Sequence, residues 1–297
     1  MKTTWLFTAD SDSQHLPKIA SQISRIDNHL LTLRNPWVTD SVFMAKIYTG
    51  MTLGLIATVY PDIINDYYHC SQKPNWLDIA ILLIFPLILT PFIAYRIFYI
   101  KNLSAIYLNR DNRTIYYQRL KQLITIDWDN ARGGIFTRFE FSSSGFSTSY
   151  GLAFVQCRSD GSPHQKDALW IDSNSPNDPD VKYVAEAWEY MRHYMDHGLE
   201  NLPPLGEPNW FYAPLHEICL TPLQAWRHYA PWRTGEIGEM QGKKLWMLPF
   251  WAILFPYNLS VAISWYVICR LFNVKAAAAP VEALEKVSVK TPEAQHL

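Results

Sequence analysis

The chain has 297 residues, 49% hydrophobic and 18% charged, with a formal net charge of -1. Such a balance offers no basic surface for nucleic acid and gives that class of partner little support, while the polar remainder suffices for one soluble domain of about 100 residues plus flanks. Cys70, Cys157, Cys219 and Cys269 stand far apart without a C-x-x-C pair, which removes a zinc knuckle, a thioredoxin-like motif and a disulfide-rich scaffold.

Residues 1–41 read as a short cytoplasmic segment. Its start, MKTTWLFTADSDS, lacks a long apolar core, so no cleavable signal peptide is expected. Three apolar runs follow in the chain: Val42 to Tyr60, Ile79 to Tyr95 (uncharged, and apolar except for Thr90), and Leu245 to Cys269. Each is about as long as a helix needs to cross roughly 30 Å of hydrocarbon at 1.5 Å per residue. The expectation is an α+β membrane protein with about three transmembrane helices, the first two forming a hairpin over 42–101.

Several residues in these runs carry specific expectations. Lys46 would run its stem along the first helix and leave its ammonium among headgroups, avoiding a cost of roughly 3 kcal/mol at the bilayer centre. Gly50 and Gly54 have the spacing that lets two helix backbones approach, which suits packing against the second span. Pro86, Pro91, Pro249 and Pro256 should kink their helices. Arg25, Arg34 and Lys46 precede the first run, only Lys73 lies between the first two, and Arg96, Lys101, Arg110 and Arg113 follow the second. By the positive-inside rule the N-terminus and central region are cytoplasmic and 61–75 is outside. A single third crossing puts the tail outside as well, whereas a re-entrant segment turning near Pro256 returns it to the cytoplasm. Under the single-crossing topology Cys70 and Cys269 share the oxidising side and could bridge; the plainer reading is four small, mostly buried thiols.

Residues 102–201 read as the soluble domain. Ala105 to Asn109 and Thr114 to Arg119 flank a polar turn and read as a hairpin. Further strands are expected at Leu123 to Asp127, Gly134 to Phe141, Gly151 to Cys157 and Ala168 to Asp172, separated by turns such as Ser142 to Gly145 and Ser159 to Ser162. A helix then closes the domain, with Asp178 as N-cap, Pro179 in its first turn and Gly198 just past its end. Val181, Val184, Ala185, Trp188, Met191 and Met195 form its apolar stripe, with Arg192 on the exposed side.

Beyond it, 202–244 is a proline-rich linker with an interfacial aromatic segment. Leu202 to Pro208 forms neither helix nor central strand, Thr221 and Pro222 open a short helix to Tyr229, and Trp210, Trp226 and Trp232 suit a membrane interface. The third apolar segment occupies 245–269, and the remainder, 270–297, reads as a disordered tail, most clearly from Ala276.

No catalytic, cofactor-binding or metal-ligating residues are assigned, and the binding residues are not marked. His193 and His197 with Asp196 form H-x-x-[acid]-H, but Asp is a methylene shorter than the Glu that zinc proteases of that pattern use as base, and no acidic third ligand follows on a helix. His216-Glu217 begins an H-E-x-x-H that ends in Leu220. The serines of FSSSGFSTS lie in no G-x-S-x-G elbow, and no phosphate loop occurs. Asp127 and Asp129 flank Trp128 and read as turn carboxylates. No charge lies within a span away from its ends, which argues against a transporter.

Antiparallel strands closed by one amphipathic helix resemble the pleckstrin-homology-like fold of bacterial membrane-tethered proteins; a plain α+β sheet with one helix is the alternative. The order of parts, a two-span hairpin, a strand-rich domain ending in AWEYMRHYMDHG, a proline-rich linker and a late hydrophobic segment, is similar to an uncharacterised bacterial family often encoded beside type VI secretion effectors. That resemblance implies an inner-membrane immunity protein, not an enzyme, that needs no cofactor and whose partners are membrane lipids and a cognate toxin or effector protein. The alternative is a tethered scaffold that recruits a partner or senses lipid. An enzyme acting on lipid or envelope substrates has the least support.

Overall fold

The computed structural model describes residues 2–11, 13–19, 21–69, 76–142, 145–158, 160–175, 178, 180–206 and 209–285. The strands are β1 (Lys2–Thr8), β2 (Ile23–Ile26), β3 (Leu30–Leu33), β4 (Leu103–Asn109), β5 (Thr114–Arg119), β6 (Gln122–Asp127), β7 (Ala131–Ser142), β8 (Gly145–Gln156) and β9 (Leu169–Asp172). The helices are α1 (Pro36–His69), α2 (Trp76–Asn102), α3 (Val181–His197), α4 (Ala213–His216), α5 (Pro222–Tyr229), α6 (Leu248–Leu271) and α7 (Val281–Leu284). They fall into two compact units: a β unit of residues through Asn35, Ala105–Gly206 and Ala278 onward, and a helical unit of Pro36–Ser104 and Glu207–Ala277.

The β unit holds two antiparallel sheets, ordered β1-β7-β8-β9 and β2-β3-β4-β5-β6. The expected β4–β5 hairpin is present, its turn held where the Asn109 side-chain oxygen accepts the Asp111 N–H at 2.9 Å. The four later strands also form, but β7 begins at Ala131 rather than Gly134 and β8 at Gly145 rather than Gly151. What differs is the N-terminus, which supplies three strands rather than a separate segment. β1 pairs with β7, and β3 pairs with β4, Leu33 lying opposite Ile106. Two neighbouring strands therefore flank, in sequence, the whole of α1 and α2. Both β2 and β3 are only four residues long, and β3's other partner lies beyond that insertion, so local pattern does not reveal the sheet.

The β unit's core centres on α3. Asp180, not Asp178, is its N-cap, accepting the Lys182 N–H; Asp178 instead accepts the Asp180 N–H at 3.1 Å. Pro179 lies outside the described residues. Gly198 terminates the helix at φ 70°, in the left-handed region open to glycine. Of the predicted stripe, Val184, Ala185, Trp188, Met191 and Met195 are buried, whereas Val181 is exposed. Trp188 stacks on Trp128 with ring centroids 5.0 Å apart, and a Cβ on Gly133 would lie 2.5 Å from its ring. Strand β7 needs glycine there because the indole occupies the place of a side chain.

Two acidic residues of α3 are also buried. Glu189 accepts the Ser13 N–H at 2.9 Å and pairs with Arg192 at 2.6 Å, while the Lys18 N–H donates to the Glu186 carbonyl at 3.2 Å. These bonds lay the N-terminal stretch along the helix, and they make Arg192 a partner of a buried carboxylate rather than a free surface cation.

The described part of the tail, through Glu285, is held in place, contrary to the expectation of disorder there. The Asn109 amide donates to the carbonyls of Ala283 at 3.0 Å and Glu285 at 3.1 Å, and Ala283 is buried. A β-unit side chain thus satisfies backbone groups that composition alone leaves to water.

In the helical unit, two stretches are long and apolar enough to cross a membrane, Pro36–Thr58 and Leu245–Leu271; the run from Ile79 to Tyr95 lies within α2. Two expectations are corrected. Gly50 admits α6, not α2: a Cβ there would lie 2.5 Å from the Tyr257 hydroxyl and 3.3 Å from Val261, whereas Gly54 faces open space. Contact between α1 and α2 includes Tyr48 and Phe92, rings 5.5 Å apart. Lys46 does not reach for headgroups; its ammonium donates to the Pro214 carbonyl. Chain-remote packing decides both, and sequence spacing carries no trace of it. In line with the plainer reading of the cysteines, Cys269 is a free, buried thiol with Cys219, also free, packed against its cluster, while Cys70 lies outside the described residues.

The packing makes Trp188→Ala costly, about 3 to 5 kcal/mol for the full chain, read as a shift in denaturant midpoint. Arg192→Ala is expected to cost at least about 1 kcal/mol because it strips the cation from Glu189. A fragment restricted to 102–201 lacks β1 to β3 and should show no cooperative melt, whereas independent melting of that fragment would refute the three-part β unit.

Candidate functional site

The residues weighed as catalytic are engaged structurally. The His193 and His197 rings do meet, 5.0 Å apart, but His193 Nε2 lies 2.7 Å from the Glu200 carbonyl oxygen, and Asp196 pairs with Arg113 at 3.2 Å. Among the described residues no group of three or more His, Cys, Asp or Glu is placed to hold a metal ion. Asp127 caps the turn Trp128–Asn130 and accepts the Asn130 amide at 2.6 Å, while Asp129 pairs with Arg113 at 2.7 Å. His216 stacks near Tyr212, and Ser149 accepts from Arg138 at 3.2 Å.

A cluster of charge lies where the sequence reads as linker, in the helical unit. Trp210 is buried, not interfacial as expected. Its ring stacks on His228 with centroids 4.2 Å apart, and its Nε1–H donates to Glu236 at 2.9 Å; His228 Nδ1 lies 3.2 Å from the same carboxylate oxygen. Lys243, also buried, donates to the Arg227 carbonyl at 2.7 Å and to Thr234 at 3.2 Å, and lies 3.5 Å from Glu239. Glu239 in turn accepts the N–H groups of Thr234 at 2.8 Å and Gly235 at 3.1 Å. The Gly242 position admits no side chain, since a Cβ would come within 2.1 Å of the Trp210 ring, and its carbonyl accepts the Trp251 indole N–H at 3.0 Å.

Burial pushes the His228 imidazole down to about 4, against the pull of Glu236, so it is neutral at pH 7. Burial likewise lowers Lys243, with Glu236 and Glu239 opposing. Burial would raise the Glu239 carboxyl, but its backbone N–H bonds and Lys243 outweigh that and hold it below the usual range. The charges satisfy one another, and the arrangement acts as a polar clamp between 209–247 and the start of α6.

The β unit offers a different feature, a groove of about 390 Å³ between the β2–β3 turn and the tail, with Arg25, Asp27, His29 and Leu30 on one side and Ala283 to Glu285 on the other. Burial works against the Asp27 carboxylate, but the N–H groups of His29 and Leu30 prevail and lower its pKa. Arg25 pairs with Asp27 at 3.4 Å, and His29 with Asp111 at 3.0 Å. Charged rim and apolar floor suit a polypeptide segment or small polar ligand. The signal in sequence is the turn Asp27-Asn28-His29, but the opposite wall comes from the tail and was not legible.

The clamp has a pH consequence. Between about pH 4 and 6.5 the unfolded chain binds a proton at His228 that the folded chain does not, so stability should be full above pH 6.5 and decline as pH falls towards 4. Tryptophan-fluorescence denaturation of the full chain should show a lower midpoint at pH 5 than at pH 7. His228→Gln should flatten that difference, and an unchanged pH slope in the variant would remove His228 as its source.

No curated protein and no solved structure matches the chain. A family model described as a family of unknown function, DUF6708, matches residues 79–276, covering most of α2, the strands from β4 onward, the clamp and α6, and on that extent the chain belongs to this family.

Proposed function

We propose that this protein acts by binding at the bacterial inner membrane, as an immunity protein that neutralises a cognate secreted toxin. The observation that carries the membrane part is the outward apolar surface of the helical unit. Phe43 and Met51 of α1, Leu87 and Phe92 of α2, and Ile253 and Val267 of α6 are all exposed, a surface that a soluble protein rarely leaves to water. In this reading three helices meet lipid, the loop beyond α1 faces outward and the β unit is cytoplasmic. Support for binding rather than chemistry comes from the histidines and carboxylates weighed above, which spend their hydrogen bonds on the fold. Immunity is supported by the resemblance of the architecture to proteins encoded beside type VI secretion effectors. A membrane-resident inhibitor suits a toxin that attacks the bilayer, because both then share one two-dimensional compartment.

A tethered scaffold of pleckstrin-homology-like type is the second reading, favoured by two antiparallel sheets followed by α3. An upstream polymorphic toxin gene would favour immunity, and an operon of envelope biogenesis the scaffold.

Expression of the chain should rescue cells from the toxin encoded beside it. His193→Ala, His197→Ala, Asp127→Ala and Asp129→Ala should leave rescue intact; its loss in any of them, at normal protein level, would point to an enzyme.

A further inference from the structure

We infer that Cys219 and Cys269 are a redox pair that closes into a reversible disulfide when a low-molecular-weight disulfide, such as oxidised glutathione, reaches Cys219. The inference lies within the helical unit and stands apart from the immunity reading.

The contact joins stretches far apart in sequence. Trp265 donates its indole N–H to the Ile218 carbonyl at 2.6 Å, which fixes the stretch before α5 against α6. Cys269 follows Trp265 by one helical turn and so shares its face of α6, while Cys219 follows Ile218. The two thiols are thereby brought into hydrogen-bonding contact, and Cys219 packs against the cluster that holds Cys269, Trp265, Val42 and Ala45. Both cysteines are free, and shortening that contact to the ordinary sulfur–sulfur bond of about 2.05 Å joins them. Cys157 belongs to the β unit.

The surroundings give the two thiols different roles. Cys219 is half-buried, whereas Cys269 is buried, so an incoming disulfide meets Cys219 first. The Lys46 ammonium, bonded to the Pro214 carbonyl, lies within electrostatic reach of both sulfurs. A cation there steadies the negative charge that passes between sulfur atoms during exchange. This end of the helical unit is polar: Lys101, in the last turn of α2, donates to the Phe272 carbonyl at 3.3 Å, and Arg270 and Lys275 are exposed.

Exchange runs in two balanced steps. The Cys219 sulfur gives up its proton and attacks one sulfur of the oxidant, and the other sulfur leaves as a thiol carrying that proton. The Cys269 sulfur then attacks the mixed disulfide at Cys219 and expels the second thiol in the same way. Two cysteine thiols are oxidised to one protein disulfide, and the oxidant is reduced to two thiols. The product closes α5, the clamp and α6 into one covalent loop, which restricts the unfolded chain. In the membrane reading the start of α1, and the pair beside it, face the cytoplasm, where such bridges are transient and redox-sensing.

The test uses the full chain in detergent micelles, treated with oxidised glutathione, capped with N-ethylmaleimide and digested without reductant. Mass spectrometry should find the Cys219 and Cys269 peptides joined, and dithiothreitol should release both with free thiols. Cys269→Ser should instead hold glutathione on Cys219, because no thiol displaces it, and Cys219→Ser should leave Cys269 as a thiol. The digest of the native chain needs no substitution and decides the matter if a variant fails to fold. A native chain that keeps glutathione on Cys219, joins either cysteine to Cys70 or Cys157, or leaves both capped by maleimide would overturn the pair. Rescue from a toxin is read separately, so either inference can fail while the other stands.

Discussion

The pairing of β3 with β4 constrains the rest of this structure. Neighbouring antiparallel strands lie about 4.8 Å apart, so Leu33 opposite Ile106 fixes the point where the chain departs into α1 beside the point where it returns from α2. A long helical hairpin can be inserted there without disturbing the sheet, because a surface connection tolerates length at small entropic cost. The same closure recurs at the other end, where Asn109 of β4 captures the tail. Each helical excursion thus begins and ends on the β unit.

Closure of the β unit depends on a second contact, the indole of Trp188 over Gly133. The Trp128 and Trp188 indole N–H groups find no acceptor among the described residues, so the stack is held by burial and dispersion, and its strength depends on a close fit. Around this apolar centre the polar bonds lie at the edge of α3, where Glu186 and Glu189 bind the N-terminal stretch. The sheets surround an apolar centre and the N-terminus is tied by hydrogen bonds.

The helical unit reverses that arrangement. It exposes large apolar side chains and encloses a polar cluster, with Lys243, Glu239, His228 and Glu236 buried or half-buried around Trp210. Enclosed charges cost free energy unless every partner is in place, so the clamp demands one conformation of 209–247 and sets where α6 begins.

Residue pattern by itself determined much of this protein. Alternation and turn residues placed the strands from β4 to β9, length and apolarity placed the long helices, and the motif Thr221-Pro222 placed α5, whose capping box with Gln224 is observed. These are local properties, set by a residue and its near neighbours. Tertiary structure alone decided that Lys2–Thr8 and Leu30–Leu33 are strands of the same unit, that Gly50 faces Tyr257, that Lys46 turns inward to Pro214, and that Trp210 and Lys243 enclose a clamp. It also supplied the far wall of the groove. Each of these joins residues distant in sequence, and which of several chemically suitable partners a side chain meets is settled by the register of β3 on β4 and by helix packing, neither of which leaves a periodic mark on the chain.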